Sequence, residues 1–524
     1  MSFGLADIPS EFNVASWVLD RHLAEGRGGN TALVLGERRV DFAELTEAAN
    51  RAGGALREAG VRPGERVLLV LADGLEFVAA WYGALKAGAV TAEAYTFLPV
   101  KDLAYLLRYS QARVVVADAT TLTNVREAIA ASPWEHTILA VGVAAAELSA
   151  GELAWEEALD AGSPFEPTPT MRDDIAIWKF TTGSTGAPKA AVHTHASPRL
   201  SAENYGQGVL GLRADDLVLS VPKLFFGYGR DLTTLFPQAV GGGGIVFPER
   251  STPERLFDLI ERHRPTVLVA VPTMIQQMLD LHGAESRDLS SLRFCTSAGE
   301  ALPAPLLARW MDRFGVEVLD GLGSSEAYHI YISQYPGESR PGTLGRLVPG
   351  YDARLVDEAG EDVAAGETGE LWLRGDTAAL MYWAERDKSL ATYAGDVVHT
   401  GDLLSRDEEG FFTYRGRADS MLKVGGIWVA PDEVEACLGA HEAVAEAAVV
   451  GVERRGLTTT RAYVAVTEGT TADDDLADAL RDHVRNTLSP HKYPREVVFL
   501  PRMPRTGSGK IDRSEIRRLA QSAD

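Results

Sequence analysis

The chain has little cysteine, no long apolar run and no excess of positive charge, and each absence excludes a class of protein. Its 524 residues include two cysteines, Cys295 and Cys437, with no CxxC pattern and no histidine cluster beside them. This spacing excludes a disulfide framework and a zinc site, and it predicts that both side chains are buried packing residues. No apolar run approaches the roughly 20 residues that cross a bilayer, and residues 1–21 show no basic, apolar leader. We therefore expect a cytoplasmic protein with no membrane partner.

The formal net charge of −23 argues against a nucleic-acid partner, because surfaces that bind phosphate backbones are usually basic. Any contact with phosphate must therefore come from a local cluster of donors. A chain of this length with 45% hydrophobic residues exceeds one ordinary core, so we expect at least two domains. Composition leaves a monomer and a homodimer equally open.

Short apolar runs alternate with longer amphipathic ones along most of the chain, which is typical of helix-covered parallel sheets. One example is the buried-strand candidate Arg66 to Asp73, followed by a helical pattern from Leu75 to Lys86. Turn-punctuated strands at 351–418 predict a small β-rich subdomain. The predicted fold class is therefore α/β, with a large N-terminal domain over residues 1–418 and a smaller α+β domain over residues 419–524.

A polar loop between two strand-like segments is the most informative feature of the chain. Residues 174–180 and 190–195 have strand patterns, and the connection between them is rich in hydroxyl groups and glycine and ends at Lys189. Backbone N–H groups in such a tight connection can turn towards an anion, and the hydroxyls and the lysine add donors and charge. Its Gly-x-x-Gly-x-x-Lys spacing is not that of a Walker loop, so we predict a phosphate-binding loop of another kind. A polar turn without a ligand is the alternative.

Further polar segments are placed where a nucleotide needs them. Residues 321–326 follow a strand-like run, so hydroxyls and the Glu326 carboxylate lie at a strand end, a favoured ligand position in α/β sheets. Glu326 suits Mg²⁺, which prefers one or two carboxylates beside phosphate oxygens; the alternative is a solvated loop acid. Asp402, just after a turn, can accept hydrogen bonds from ribose hydroxyls. Lys510, on a glycine-rich loop, is the candidate for stabilising charge in a transition state.

In this order, the segments resemble the adenylate-forming superfamily, which contains acyl-CoA synthetases, peptide-synthetase adenylation domains and luciferases. The resemblance spans nearly the whole chain. It rests on TTGSTGAPKAAVHTH (181–195), SAGEALP (297–303), DGLGSSE (320–326), GELWLRG (369–375), HTGD (399–402), YRGRADSMLKVGGIWVAPDEVE (414–435) and PRTGSGK (504–510). It implies an N-terminal domain ending near Ala418, a hinge at Asp419 and a C-terminal lid that rotates between two half-reactions. ATP and a carboxylate first give an acyl-adenylate and pyrophosphate, and a thiol then gives a thioester and AMP.

The resemblance also implies roles for individual residues. Lys510 is the adenylation lysine, Lys423 lies on the segment that the rotated lid brings in for thioester formation, and Glu326 holds Mg²⁺. The implied nucleotide-binding and cofactor-binding set is Thr181, Thr182, Gly183, Ser184, Thr185, Gly186, Lys189, Gly299, Glu300, Asp320, Gly321, Ser325, Asp402, Arg417, Gly425 and Gly426.

The acid-binding segments look most like those of benzoate-type aryl-CoA ligases. Aromatic walls with small glycines between them suit a flat ring, whereas Phe225 is interpreted as a core residue. Arg230 and Asp231 depart from the apolar and amide residues expected there, and they can pair internally, face solvent or recognise a hydroxyl or amino substituent. The predicted substrate residues are Phe226, Gly227, Tyr228, Gly323, His329 and Ile330.

Three functional classes follow. An AMP-forming aryl-CoA ligase leads; an aryl-adenylating enzyme that loads the phosphopantetheine arm of a separate carrier protein is the alternative. A nucleotide-binding regulator without chemistry is the distant third, because Lys510, Glu326 and Asp402 are all present. Basic residues outnumber acidic ones between positions 489 and 519, which suits CoA phosphates and an acidic carrier equally. The expected cofactors are ATP, Mg²⁺ and coenzyme A or a phosphopantetheine arm, and the expected partner is a small aryl carboxylic acid.

Overall fold

The computed structural model describes residues 2–161, 165–182, 187–418, 422–424, 427–454, 457–488, 492–506 and 511–522. It is a mixed α/β structure with a large N-terminal part and a smaller C-terminal part, which confirms the predicted fold class. The boundary at residues 418 and 419 stays a prediction. Both cysteines are buried, as predicted.

The strands of the described residues are β1 Thr31–Leu35, β2 Arg38–Asp41, β3 Arg66–Val70, β4 Val90–Glu93, β5 Val114–Asp118, β6 Thr137–Val141, β7 Glu152–Ala154, β8 Ile175–Thr182, β9 Pro188–Thr194, β10 Leu217–Ser220, β11 Gly243–Ile245, β12 Val267–Ala270, β13 Phe294–Ala298, β14 Val318–Gly323, β15 Ile330–Ser333, β16 Arg346–Leu347, β17 Tyr351–Val356, β18 Thr368–Gly375, β19 Tyr393–Ala394, β20 Val397–Arg406, β21 Phe412–Arg417, β22 Leu422–Val424, β23 Ile427–Val429, β24 Val444–Arg454, β25 Leu457–Val466 and β26 Glu496–Phe499.

The α-helices are α1 Val14–Val18, α2 Asp20–Ala24, α3 Phe42–Glu58, α4 Leu75–Lys86, α5 Val100–Ser110, α6 Leu122–Ala130, α7 Trp155–Ala161, α8 Ala196–Ser201, α9 Gly227–Arg230, α10 Phe236–Ala239, α11 Pro253–His263, α12 Pro272–Asp280, α13 Ala304–Phe314, α14 Arg386–Thr392, α15 Pro431–Gly439, α16 Asp474–Thr487 and α17 Arg513–Ser522. Short π-helical turns follow α8 and α9, at Ala202–Gln207 and Asp231–Leu235. Within the described residues, we find no helix whose length and apolar content would let it cross a membrane.

Two large sheets form the N-terminal part. The first has the order β7-β6-β5-β3-β4-β8-β9 and is parallel except for β9, which returns antiparallel to β8. The second has the order β16-β15-β14-β13-β12-β10-β11-β1-β2, with parallel strands at its centre and antiparallel ones at its edges. The central strands of both sheets are short apolar runs, because both faces of each sheet are covered. In β3, for example, the four residues after Arg66 are all buried. The helical pattern predicted from Leu75 to Lys86 is α4, and its residues from Phe77 onward are buried.

The β-rich segment predicted from residue 351 is an antiparallel sheet, β17-β18-β20-β19, with β21 paired to β20. In the C-terminal part, β24, β25 and β26 form a second small sheet. Apolar residues of α15 and α16, among them Val434 and Leu480, pack on one face, and Ile516 of α17 packs on the other. These helices bury apolar stripes against the sheet, which is why a segment of this size has a core of its own.

Candidate active site

The described ends of the predicted phosphate loop belong to the β8–β9 hairpin. The two predicted strands are confirmed, and they pair so that Thr181 lies opposite Lys189. The Lys189 ammonium lies 3.6 Å from the centre of the Tyr382 ring. Burial lowers the pKa of Lys189, and the neighbouring charge of Glu326 opposes this shift. The base of the loop therefore presents a cation beside an aromatic face.

Glu326 is fixed beside the same aromatic ring. The Tyr382 hydroxyl donates to Glu326 Oε1 at 2.6 Å, and the Glu326 carbonyl accepts from the backbone of Ala379 at 2.8 Å. The preceding Ser325 carbonyl accepts from His193 Nε2 of β9 at 2.6 Å. Tyr382 thus contacts the Lys189 cation through its ring and the Glu326 carboxylate through its hydroxyl. Of the predicted triphosphate and metal residues, Lys189 and Glu326 are brought together there, although sequence reasoning did not identify Tyr382.

Asp402 and Arg417 are direct neighbours on β20 and β21. Arg417 Nη1 lies 3.1 Å from Asp402 Oδ1 and donates to the Thr400 carbonyl at 2.9 Å. The Tyr331 hydroxyl donates to Asp402 Oδ2 at 3.4 Å. Burial raises the pKa of Asp402 to about 6, although the Arg417 charge acts in the opposite direction. Gly401 has φ +71°, a left-handed turn that favours glycine and lets the chain bend beside Arg417.

Gly299 and Glu300 follow the carboxyl end of β13, and Asp320 lies within the neighbouring strand β14, opposite Ser297. The Glu300 carboxylate accepts from the Thr273 hydroxyl at 2.7 Å and from the Thr273 backbone at 3.1 Å, so it anchors the start of α12. Asp320 is buried, and burial raises its pKa to about 8. Its Oδ1 atom makes no hydrogen bond of good geometry among the described residues, although the Gly321 backbone and the Ser297 hydroxyl act against the rise in pKa. A carboxyl group with this pKa is mostly protonated near pH 7, so it offers a ligand one donor and one acceptor.

Tyr228 and His329 form an aromatic wall where the acid was predicted to bind. Their rings lie 5.7 Å apart, and the Tyr228 hydroxyl shares a hydrogen bond of 2.9 Å with Thr296. The rings of Phe236 and Tyr205 lie 4.7 and 5.5 Å from His329. Among the residues that the structure describes, neither nitrogen of the buried His329 ring makes a hydrogen bond of good geometry, although the Tyr228 backbone lies close enough to act against the fall in its pKa. Burial, followed by the Lys179 charge, lowers the pKa of His329 to about 3, so the ring is neutral with one donor and one acceptor nitrogen.

Gly323 pairs with Ile330 where β14 meets β15, which brings two further predicted residues together. A Cβ atom at Gly323 would lie 2.6 Å from the His329 carbonyl, so this position requires glycine. Phe226 instead packs 4.6 Å from Tyr95 and 5.1 Å from the ring of Phe225, which is a core residue as expected. The predicted acid residues therefore divide between a Tyr228–His329 wall and a separate aromatic cluster.

Arg230 and Asp231 pair internally, the first of the three alternatives. Arg230 Nη1 lies 2.6 Å from Glu93 Oε1, and Arg230 Nη2 lies 2.9 Å from Asp231 Oδ1. Lys179 Nζ lies 2.6 Å from the other oxygen of Asp231. Sequence reasoning missed Lys179 and Glu93, and the one available signal was a lysine within the apolar run of β8.

Several predicted residues lie outside the described part of the chain. The roles assigned to them and to the side chains of Thr182 and Lys423 stay predictions. They are Gly183, Ser184, Thr185, Gly186, Asp419, Gly425, Gly426 and Lys510.

Comparison with known proteins gives a consistent result along the whole chain. The sequence matches the family model described as AMP-binding enzyme over residues 20–383 and the model described as AMP-binding enzyme C-terminal domain over residues 433–510. It is 41% identical over 515 residues to a benzoate–CoA ligase of Thauera aromatica, with 97% of this chain and 96% of that protein covered.

Two solved structures are similar over nearly their full lengths. One is the anthranilate CoA ligase AuaEII in complex with anthranoyl-AMP, with a TM-score of 0.93 and 36% identity over 99% of both chains. The other is a benzoate CoA ligase from Burkholderia xenovorans LB400, with a TM-score of 0.88, 40% identity, and 97% of this chain and 100% of that chain covered.

Proposed function

Because this chain belongs to the AMP-binding enzyme family, we propose that it is an AMP-forming acid–CoA ligase whose acid is a benzoate-sized aryl carboxylate. Family membership supports the chemistry. One observation supports an aryl acid as the substrate. The Tyr228 and His329 rings lie 5.7 Å apart, beside Gly321 and Gly323 of β14, where that strand pairs closely with β15. A flat ring buries its faces well against such walls, whereas a long alkyl tail requires a tunnel.

The first half-reaction forms an acyl-adenylate. A carboxylate oxygen of the aryl acid attacks the α-phosphorus of ATP, and the bond from that phosphorus to the pyrophosphate oxygen breaks. We assign the triphosphate to the β8–β9 loop and Lys189, and the ribose hydroxyls to Asp402. Lys510 stabilises the negative charge that develops on the reacting phosphate, since a donor lowers the barrier most where charge appears in the transition state.

The site suits Mg²⁺ at Glu326. This carboxylate is held on one oxygen by the Tyr382 hydroxyl, 2.6 Å away, beside the Lys189 cation. Magnesium is usually bound by one or two carboxylates together with phosphate oxygens. When bound, the ion would neutralise phosphate charge.

The second half-reaction transfers the acyl group to CoA. The thiolate sulfur attacks the acyl carbonyl carbon, the C–S bond forms, and the C–O bond to AMP breaks, with the thiol proton lost to solvent. We propose that residues 419–524 act as the lid, that Asp419 is its hinge, and that rotation presents Lys423 with Gly425 and Gly426 to the site. Two lysines on one lid then serve two reactions.

The acid class and the acceptor are tested together by identifying products by mass spectrometry. Benzoate, its hydroxy and amino derivatives, and C6 to C16 fatty acids are each supplied with ATP, and CoA and a phosphopantetheinylated carrier protein are offered separately. We expect aryl-CoA, AMP and pyrophosphate. A preference for the aliphatic acids would overturn the aryl assignment, and thioester on the carrier alone would overturn the CoA assignment.

Ring substituents are expected to matter more than ring size. Adding or removing a methylene shifts discrimination by about 1–3 kcal/mol, whereas an unpaired donor or acceptor can discriminate far more strongly. The His329 ring, buried and without a hydrogen bond of good geometry among the described residues, offers such groups. We therefore expect at least one hydroxy- or aminobenzoate to be used as well as benzoate.

Asp402→Asn should raise the KM for ATP about tenfold, because a neutral amide accepts weaker hydrogen bonds than a carboxylate. The raised pKa of about 6 also predicts a pH dependence. The carboxylate is ionised above that pH and protonated below it, so the wild-type KM for ATP should rise as pH falls through 6. Initial rates of pyrophosphate release between pH 5 and 8 measure both effects. The variant profile should be flat, and one that still rises below pH 6 would assign the titration to another group.

A further inference from the structure

Four charged side chains form a buried ion network beside the aromatic wall. The exposed fractions of Lys179, Asp231, Arg230 and Glu93 are 5%, 0%, 1% and 4%. Two cations and two anions balance one another, and the Trp81 indole donates to Glu93 Oε1 at 2.7 Å. Desolvated charges are costly unless they are paired, so each member depends on the others for its place.

The network connects the sheet to both sides of the aromatic wall. Glu93 ends β4, and Lys179 lies within the adjacent parallel strand β8, while Arg230 and Asp231 lie where α9 passes into a π-helical turn. The ion pairs therefore tie that turn to β4 and β8 of the seven-stranded sheet. Because Tyr228 lies in α9, two residues before Arg230, the position of this segment sets the position of the Tyr228 ring.

Lys179 contacts the backbone of both segments that carry the wall. Its Nζ donates to the Tyr328 carbonyl at 2.6 Å, next to His329. A Cβ atom on Gly227, next to Tyr228, would lie 2.9 Å from the same nitrogen. One ammonium group thus lies against the chain directly before each of the two rings.

Tyr328 has a backbone conformation that needs such support. Its φ of +72° lies in the left-handed region, which is unfavourable for a bulky side chain. Strained residues persist where the surroundings over-determine them, and they concentrate at ligand sites. The Lys179 ammonium holds Tyr328 twice, through its carbonyl and through its ring, whose centre is 3.6 Å away. The strained Tyr328 conformation sets the direction of His329.

We propose that Lys179 is a positioning residue for the aryl acid and that the ion network determines the acid specificity of the site. Lys179 acts through Gly227 and Tyr328, and these fix the positions of the Tyr228 and His329 rings, which pack on each other and form the wall for the aryl ring. This inference rests on the proposed function. If the network only stabilised the fold, Lys179→Met would lower Tm without a selective rise in the KM for benzoate.

Lys179→Met is compared with Lys86→Met, a matched control. Lys86 is also fully buried and paired to an aspartate, Asp20, at 2.5 Å, but it lies on α4 outside the candidate site. Both variants should lower Tm. Only Lys179→Met should raise the KM for benzoate by about tenfold or more, because misplacement of about 1 Å at a positioned site costs that much or more. The KM for ATP should stay within about twofold of wild type.

A charge-balanced double variant, Lys179→Met with Asp231→Asn, separates positioning from stability. The Arg230–Glu93 pair remains, so much of the lost Tm should return, while the KM for benzoate should stay raised and the preference among substituted benzoates should relax. Recovery of wild-type benzoate KM along with Tm would overturn the proposal. So would equal rises in the KM for benzoate and ATP in Lys179→Met. Failure of the wild-type enzyme to use any benzoate would instead overturn the proposed function itself.

Discussion

Replacing Lys510 with alanine should lower the rate of acyl-adenylate formation about 10²–10³-fold, the cost of removing one donor aimed at developing charge. Thioester formation from supplied aryl-adenylate and CoA should stay within about threefold of wild type, since that step develops no charge beside this ammonium. Pyrophosphate release measures the first half-reaction, and thioester formation from synthetic benzoyl-adenylate measures the second.

Lys423→Ala is the paired variant, and its selectivity should be the reverse. Pyrophosphate release should survive better than thioester production, because Lys423 belongs to the segment assigned to the second half-reaction. The effect should be smaller than that of Lys510→Ala if backbone groups near Gly425 carry part of the second step. Equal loss of both half-reactions in Lys510→Ala would contradict the division of labour between the two lysines.

Glu326→Gln should lower kcat/KM about 100-fold at a fixed magnesium concentration and raise the magnesium concentration needed for half-maximal rate. Loss of an outer-sphere partner of a metal costs about 10–100-fold, and a directly bound carboxylate should cost no less. An unchanged Tm would show that the isosteric amide leaves the fold intact. Rates across a magnesium titration give the measurement.

Tyr382→Phe provides the matched control for Glu326→Gln. It removes the 2.6 Å hydrogen bond to Glu326 but keeps both the carboxylate and the ring beneath Lys189. Its magnesium requirement should therefore rise much less. If Glu326→Gln kept the wild-type magnesium dependence, the metal would have to be assigned to another group.

Local features of the fold could be predicted from the sequence because their causes are local. The apolar run of β3, the amphipathic α4 and the hairpin around the phosphate loop each follow from periodicity and turn residues within one segment. The turn-punctuated pattern after residue 351 also predicted an antiparallel sheet. In each case the signal lies within one segment, even where the paired strand lies farther along the chain, as β18 pairs with β20.

The contacts that position the site could not be predicted in this way, because they join distant segments. Tyr382 reaches Glu326 across 56 residues, and Lys179 reaches Asp231 across 52. The sequence is compatible with three environments for Arg230, because its partner Glu93 lies on β4, far earlier in the chain. Phe226 belongs to the predicted aromatic motif, yet its ring packs on Tyr95 because the chain turns there. No periodicity encodes such partners.

Gly321 and Gly323 of β14 limit the ways in which this enzyme could acquire new substrates. At Gly323 the added carbon of even an alanine would lie 2.6 Å from the backbone oxygen of His329, and at Gly321 it would lie 3.0 Å from that of Ile332. The two glycines have no side chain that could be shortened to enlarge the site, and an added side chain would push β14 and β15 apart. Variation in substrate range, in evolution or in the laboratory, should therefore accumulate at Tyr228, His329 and the charges behind them, while the two glycines stay unchanged.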